Sequence, residues 1–204
     1  MSQIKLLHSG GNGVIIAAPD SNPASDRTLK LPSNADGTIL TTTSPKAGNI
    51  IQVVSTTKTD TASASVSRTS DWVGHGLSVS ITPSSSSNKI LIFGQVTVGS
   101  DINDGISLSI FKAGSEIAGA TGDAASSRQR QTAGAEMDYN FAVTTIPFHY
   151  LDTAGGTSSI TYQPALNISN SGSYTIYLNR TSNDTDNASY IRTISVITAM
   201  EIAA

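Results

Sequence analysis

The chain has 204 residues, a formal net charge of -3 and no cysteine. Only 13% of its residues are charged and 5% are aromatic, while 31 Ser and 24 Thr together exceed a quarter of it. This composition excludes a heptad coiled coil, a disulfide framework and a thiolate metal site. A pI of about 5.5 leaves no basic footprint for nucleic acid. No apolar run approaches the roughly 18 residues of a membrane span, so no membrane insertion is expected. The N-terminus MSQIKLLHSGG lacks the apolar core of a secretory signal.

Residues 1–48 carry short apolar runs: Ile4 to Leu7, Val14 to Ala18, Leu29 to Leu31, then Ile39 and Leu40. Turn chemistry separates them: Gly10, Gly11, Asn12 and Gly13, then Pro19 to Pro23, then Pro32 to Gly37. These are hairpin signals. Two or three short hairpins bury little apolar area alone. Residues 1–48 are therefore read as an attachment or intertwining segment, against the plainer alternative of a strand extension on the main domain. Ser44 to Gly48 form the boundary, and 49–204 form the second domain.

From Asn49 onward the strands lengthen. The expected strands are 50–56, 76–82, 89–98, 106–112, 138–150, 157–163, 173–180 and 189–202. Leu77, Val79 and Ile81 alternate with serines, as do Ile106, Leu108 and Ile110. Tyr174, Ile176 and Leu178 alternate with Thr175 and Tyr177. Period two with one apolar face means half-buried antiparallel strands. KILIFGQVTV is apolar through its first half, which suits a central strand covered on both faces. Loops are expected at PSSSSN, SDINDG, DTAGG and SNDTDNAS. The fold class is therefore all-β: an N-terminal hairpin segment, then an antiparallel, jelly-roll-like β-sandwich.

The segment GVIIAAPDSNPASDRTLKLPSNADGTILTT resembles a module of tailed-bacteriophage structural proteins, notably fibres of marine phages. Its core is an apolar strand, a Pro/Asn/Ser turn, DRTLKLP and DGTILTT. ITPSSSSNKILIFGQVTV, FHYLDTAGGTSSITYQ and ISVITAMEI are similar to the β domains found downstream in such proteins. The resemblance implies a virion structural protein, and homotrimers are its common assembly. The implied partners are sister chains and other virion proteins reached through the N-terminal segment.

Chemistry-bearing residues are few. His8, His75 and His149 have no metal spacing. His149 lies three residues before Asp152, but no GxSxG elbow exists for such a pair to serve. The strand reading, with Asp152 opening a turn, is preferred. SDINDG offers Asp101, Asn103 and Asp104, and SNDTDN offers Asn183, Asp184, Asp186 and Asn187. Such loops can ligate calcium, but the Gly and Glu of an EF-hand are out of place, and turn geometry explains them. The four Asn-x-Ser/Thr sequons, at Asn167, Asn179, Asn183 and Asn187, are expected by chance in a chain this rich in Ser and Thr. No cofactor is implied.

Three residues are candidate interface residues. Arg128 and Arg130, in ASSRQRQTAG, read as a polar strand or loop with two cations on one face. The plain reading is an edge strand guarded by charge, and the functional one is contact with a carboxylate. Trp72 reads as a packed residue or as a ring for stacking sugars. The remaining tyrosines sit mostly in expected strands. Glu is nearly absent, at Glu116, Glu136 and Glu201, which leaves little for a glycan-cleaving carboxylate pair. The leading expectation is a non-enzymatic, homotrimeric virion fibre or short appendage. The alternatives are a capsid decoration protein and a head that binds host-surface glycan.

Overall fold

The structure is a computed structural model that describes residues 3–7, 9–11, 13–17, 45–69, 71–137 and 142–204. The chain divides into two units, Met1–Ile39 and Leu40–Ala204. The division falls earlier in the chain than the Ser44–Gly48 boundary read from composition. In the first unit, β1 (Gln3–Leu7) and β2 (Gly13–Ala17) form an antiparallel hairpin, with Leu7 opposite Gly13. Gly11 takes a left-handed φ of 92° in the connection, where a side chain would be strained. The expected runs at 29–31 and 39–40 lie outside the described residues.

The second unit contains β3 (Ile50–Lys58), β4 (Ala62–Val66), β5 (Trp72–Val73), β6 (Val79–Ile81) and β7 (Lys89–Ser100). There follow β8 (Gly105–Lys112), β9 (Ser115–Glu116), β10 (Ala133–Glu136), β11 (Thr144–Thr153), β12 (Ile160–Ile168), β13 (Tyr174–Leu178) and β14 (Ser195–Ile202). One sheet runs β3-β14-β7-β11 and the other runs β6-β12-β8-β10, all antiparallel. Taken in chain order, these eight strands have jelly-roll connectivity. β13 and β4 extend the first sheet beyond β14, pairing onto the far end of β7.

Alternation holds the sandwich together. Ile90, Ile92, Val96 and Val98 of β7 face Ile106, Leu108 and Ile110 of β8 across one buried cluster. Ile146, Phe148, Leu166, Ile168, Ile176, Leu178 and Ile197 complete it. Fully burying each such side chain contributes about 1.5–3 kcal/mol, and no disulfide is needed.

Several expectations are corrected. β7 is central, but its first half is covered on one face only. Its second half is covered on both faces, because residues 179–195 fold against Thr97 and Gly99. Thr97 accepts a hydrogen bond from Asn179 and donates its own N–H to Ser195. A Cβ on Gly99 would lie 2.6 Å from the Arg180 carbonyl oxygen. β8 is likewise buried on both faces, since Ser109 and Phe111 on its hydroxyl-bearing side are also covered. β11 starts at Thr144 and β14 at Ser195, both later than expected. The start expected at 138–141 lies outside the described residues. β4, β5, β9 and β10 are too short or too small in side chain to show a period. Arg128 and Arg130 lie in an irregular segment before β10, not in a strand.

The inner face of β7 has one gap, at Gly94, and Phe148 from β11 fills it. Gly94 pairs with Phe148 in register, and a Cβ there would collide with the Val196 carbonyl oxygen. It would also lie 3.0 Å from the Phe148 ring. Gly94→Ala is expected to lower unfolding stability by about 1–3 kcal/mol through overpacking. Urea denaturation checks this, and an unchanged midpoint would contradict the packing described.

The outer face of the first sheet is less well covered. Val53, Met200, Leu91 and Leu151 stand side by side across four strands in one row. Ile50 and Ile202 extend the apolar area on one side of the row, and Phe93 extends it on the other. Val53 is 53% exposed, Leu151 52% and Ile50 57%.

Candidate functional site

The second sheet has a different outer face. In register across β12, β8 and β10 stand Asn167, Ser107 and Gly134. Ser107 and Gly134 are small, so this row leaves a depression. Residues 121–131 fold over it. Gln129 donates to the Arg68 carbonyl oxygen at 2.9 Å and to Asn167 Oδ1 at 3.2 Å. Gly122 N–H bonds the Gln131 carbonyl oxygen, and Thr132 N–H bonds that of Leu108. The result is an open cleft of about 730 Å³ between the sheet and this segment.

Arg68, Arg128 and Arg130 line that cleft, with Asp123 as the one carboxylate. Arg130 Nε donates to the Gly122 carbonyl oxygen at 2.6 Å, which orients the guanidinium. No carboxylate lies within ion-pair distance of the three arginines among the described residues. Arg180 and Arg192, by contrast, both pair with Asp184. Ser107 Oγ is buried in the cleft wall and meets no hydrogen-bond partner among the described residues. Sequence reasoning found Arg128 and Arg130 but missed Arg68. It lies far away in sequence, and only the Gln129 and Asn167 hydrogen bonds draw it in.

Trp72 does not line the cleft. It sits in β5, opposite Leu166, partly buried against the core and edge-on to His75 with ring centroids 5.1 Å apart. Gly74, His75 and Gly76 all have left-handed φ, at 70°, 30° and 79°. Their compactness is imposed by neighbours. A Cβ on Gly74 would collide with the Gln163 amide, and one on Gly76 would lie 2.8 Å from Lys58 Nζ. His75 is buried, and neither ring nitrogen has a partner among the described residues. Burial, followed by the Lys58 charge, pushes its pKa down to about 4.

The other sequence candidates are structural. His149 is exposed, while Asp152 turns toward the opposite face of β11, so they form no pair. Asp152 lies in the strand rather than opening a turn. It accepts from Tyr162 Oη at 2.7 Å and pairs with Lys112 at 2.7 Å, tying β11 to the facing sheet. Burial, then the Asp152 bond, raises the Tyr162 hydroxyl above its ordinary range.

The Asx-rich loops use their oxygens locally. Asp101 accepts from Thr175 N–H, and Asp104 from Gly105, Ser169 and Asn170. The Ser169 and Asn170 bonds, with the Gly105 backbone N–H, hold the Asp104 carboxyl below the usual range. Asn183 and Asn187 each cap a turn two residues on. No three-residue metal cluster occurs among the described residues.

Glu201 is a buried carboxylate with neutral partners. Gln52 donates to Oε2 at 2.6 Å, while Asn88 Nδ2, Ser84 Oγ and Ser84 N–H donate to Oε1 at 2.6–2.8 Å. Burial pushes its pKa up, and the bonds from Asn88, Gln52 and Ser84 outweigh this and hold it below the ordinary carboxylate range.

No protein-family model matches the chain, and no curated protein matches it. Among solved structures, the infectious bursal disease virus Gx strain is similar at 13% identity and a TM-score of 0.34, over 94% of this chain. The Gt strain of that virus and its VP2 subviral particle are similar at 12% identity and TM-scores of 0.36, each over 95% of this chain. The chain spans about half the length of these chains: 50%, 47% and 48% respectively. Likeness this slight leaves the class, a jelly-roll β-sandwich, resting on the chain's own strand order. Function has to be argued from its own residues.

Two acid-side expectations follow. His75 has a folded pKa below its ordinary 6.5, so the unfolded chain binds the proton first as pH falls. Its stability contribution is present above about pH 6.5 and is lost down to about pH 4, at up to about 1.4 kcal/mol per pH unit. His75→Asn, which tolerates the left-handed φ, should remove that slope in urea denaturation measured against pH. An equal slope in the variant would refute the assignment. Glu201 is likewise depressed, so its stabilisation is complete above the carboxylate range and disappears as pH falls through its folded pKa. Glu201→Ala should cost at least about 2 kcal/mol at pH 7, since buried donors lose their acceptor. The same unfolding measurement checks it.

Proposed function

We propose that the chain is a non-enzymatic virion structural protein. It works as a homotrimeric fibre or short appendage, attached through its N-terminal segment and projecting the sandwich for host adsorption. The observation that carries this reading is the apolar row Val53, Met200, Leu91 and Leu151 on an otherwise weakly charged surface. Contiguous apolar area on a sheet face marks association. Lys89, between Ile202 and Thr153, is the one charge in the adjoining row, so the face suits copies of this chain, closing in a cyclic ring. The resemblance of the segment from Gly13 to Thr42 to phage structural modules supports attachment by that end. The sandwich is held from Gly48 onward, where Gly48 N–H bonds the Ala203 carbonyl oxygen and Ala203 N–H that of Asn49.

Native mass measurement tests the assembly. The expected mass is about 63 kDa, three times the 21.1 kDa chain. Leu151→Asp and Val53→Asp should shift it to monomer with an unchanged melting temperature, because both side chains are exposed. A wild-type monomer at micromolar concentration would overturn the trimer. Immunogold labelling of particles tests the location: label on capsid faces favours a decoration protein, and label on an appendage favours the reading given. Sustained release of reducing ends from host polysaccharide would overturn the non-enzymatic assignment.

A further inference from the structure

Three exposed arginines line one cleft with no ion-pair partner among the described residues. The chain carries six Arg and a net charge of -3, yet three of the six gather around one opening. Like charges brought together repel, and a carboxylate beside them would relieve the cost. Only Asp123 shares the lining, and it lies beyond ion-pair distance of all three. The arginines are held in place through backbone and amide contacts instead. Gln129 ties the 121–131 segment to the Arg68 backbone, and Gly122 fixes Arg130. The Arg130 guanidinium is thus oriented before any ligand arrives, which lowers its ordering cost on binding.

The rest of the lining narrows the ligand. Ser107, Ser127, Ser169, Gln129 and Gln131 present hydroxyls and amides, which both donate and accept. A phosphate group accepts only, so it would leave the acceptors on these side chains idle. The apolar lining is limited to alanine and glycine, with no aromatic anchor such as a peptide hot spot or a stacked base would use. An opening of about 730 Å³ is within the usual size range of small-ligand sites. Ser107 Oγ lies buried in the wall with no hydrogen-bond partner among the described residues.

We propose that this cleft binds a carboxylate-bearing saccharide. The uronate or sialate carboxylate is taken by the forked guanidinium groups of Arg68, Arg128 and Arg130. The sugar hydroxyls are taken by Gln129, Gln131 and Ser127. The biological role rests on the adsorption reading above, while the binding itself does not.

The test is isothermal titration of the full-length protein with trigalacturonate, and with neutral galactotriose as the matched probe. Trigalacturonate should bind, galactotriose should bind at least about tenfold more weakly, and added salt should weaken the acidic ligand selectively. Arg128→Gln and Arg130→Gln should each weaken trigalacturonate by about tenfold or more. Arg128→Lys should recover only part of the loss, because the ammonium lacks the planar fork. Arg192→Gln, outside the cleft, should have no effect. Melting temperatures verify that each variant folds.

The proposal is overturned if no trigalacturonate binding is seen, or if the cleft variants bind it as well as wild type. It is also overturned if inorganic phosphate competes as well per carboxylate, which would make the cleft a simple anion site. If Arg128→Gln or Arg130→Gln changes the native mass instead, the cleft holds a carboxylate of a sister chain. Immunogold placement of the protein on the particle is unaffected by any of these results, so the two readings fail separately.

Discussion

Strand β14 is hydrogen-bonded along both edges, to β3 on one side and to β7 on the other. The first sheet would split without it, since β3 has no other partner strand. The last strand of the chain therefore joins the first strand of the sandwich to its centre. Glu201 secures that joint by drawing donors from β3 and from Ser84 and Asn88 of the 83–88 loop onto one buried carboxylate. No cation pairs with it among the described residues, and the geometry of four neutral donors holds it. Asn88 completes the closure, accepting a hydrogen bond from Ala204 N–H. The ends of the sandwich are fastened to each other before any of its outer surfaces matter.

The two outer surfaces then diverge because the connections differ. In the first sheet residues 179–195 cover the outer face at the far half of β7, while the rows at its other end, with Val53 and Leu151, stay partly exposed. The second sheet carries a long excursion between β9 and β10 that returns over its own face. Small residues in one register row, Ser107 and Gly134, make space beneath it. Covered space with three arginines on one side and an apolar row on the opposite side gives one sandwich two unlike surfaces. Inner-face burial supports both, and neither contributes to it.

His75 shows a different balance. The left-handed φ of His75, a non-glycine residue, and its buried imidazole with no hydrogen-bond partner among the described residues raise the local free energy, which the edge-on Trp72 contact offsets in part. The arrangement persists because β12 fixes it from outside: Gly74 N–H bonds the Pro164 carbonyl oxygen, and Gln163 occupies the space above Gly74. Trp72 is thereby held by β12, partly buried against the core.

The sequence by itself determined the all-β class, the two-sheet sandwich and the inward sets of β6, β8 and β13. Alternation is a local property: Ile106, Leu108 and Ile110 can face only one way once the strand is extended. It also picked out Arg128 and Arg130 by their charge. The short strands β4, β5 and β10 were illegible, because Ala, Gly and Ser carry no period and their pairing comes from a distant neighbour. Burial of Ser109 and of the far half of β7 was equally hidden, since a hydroxyl reads as solvent-facing until another segment covers it. Only the tertiary structure decided that Arg68 joins Arg128 and Arg130, that His149 and Asp152 point apart, and that Glu201 is enclosed. Each of these depends on residues far apart in sequence meeting across a register, and register is set by the packing of the whole sandwich.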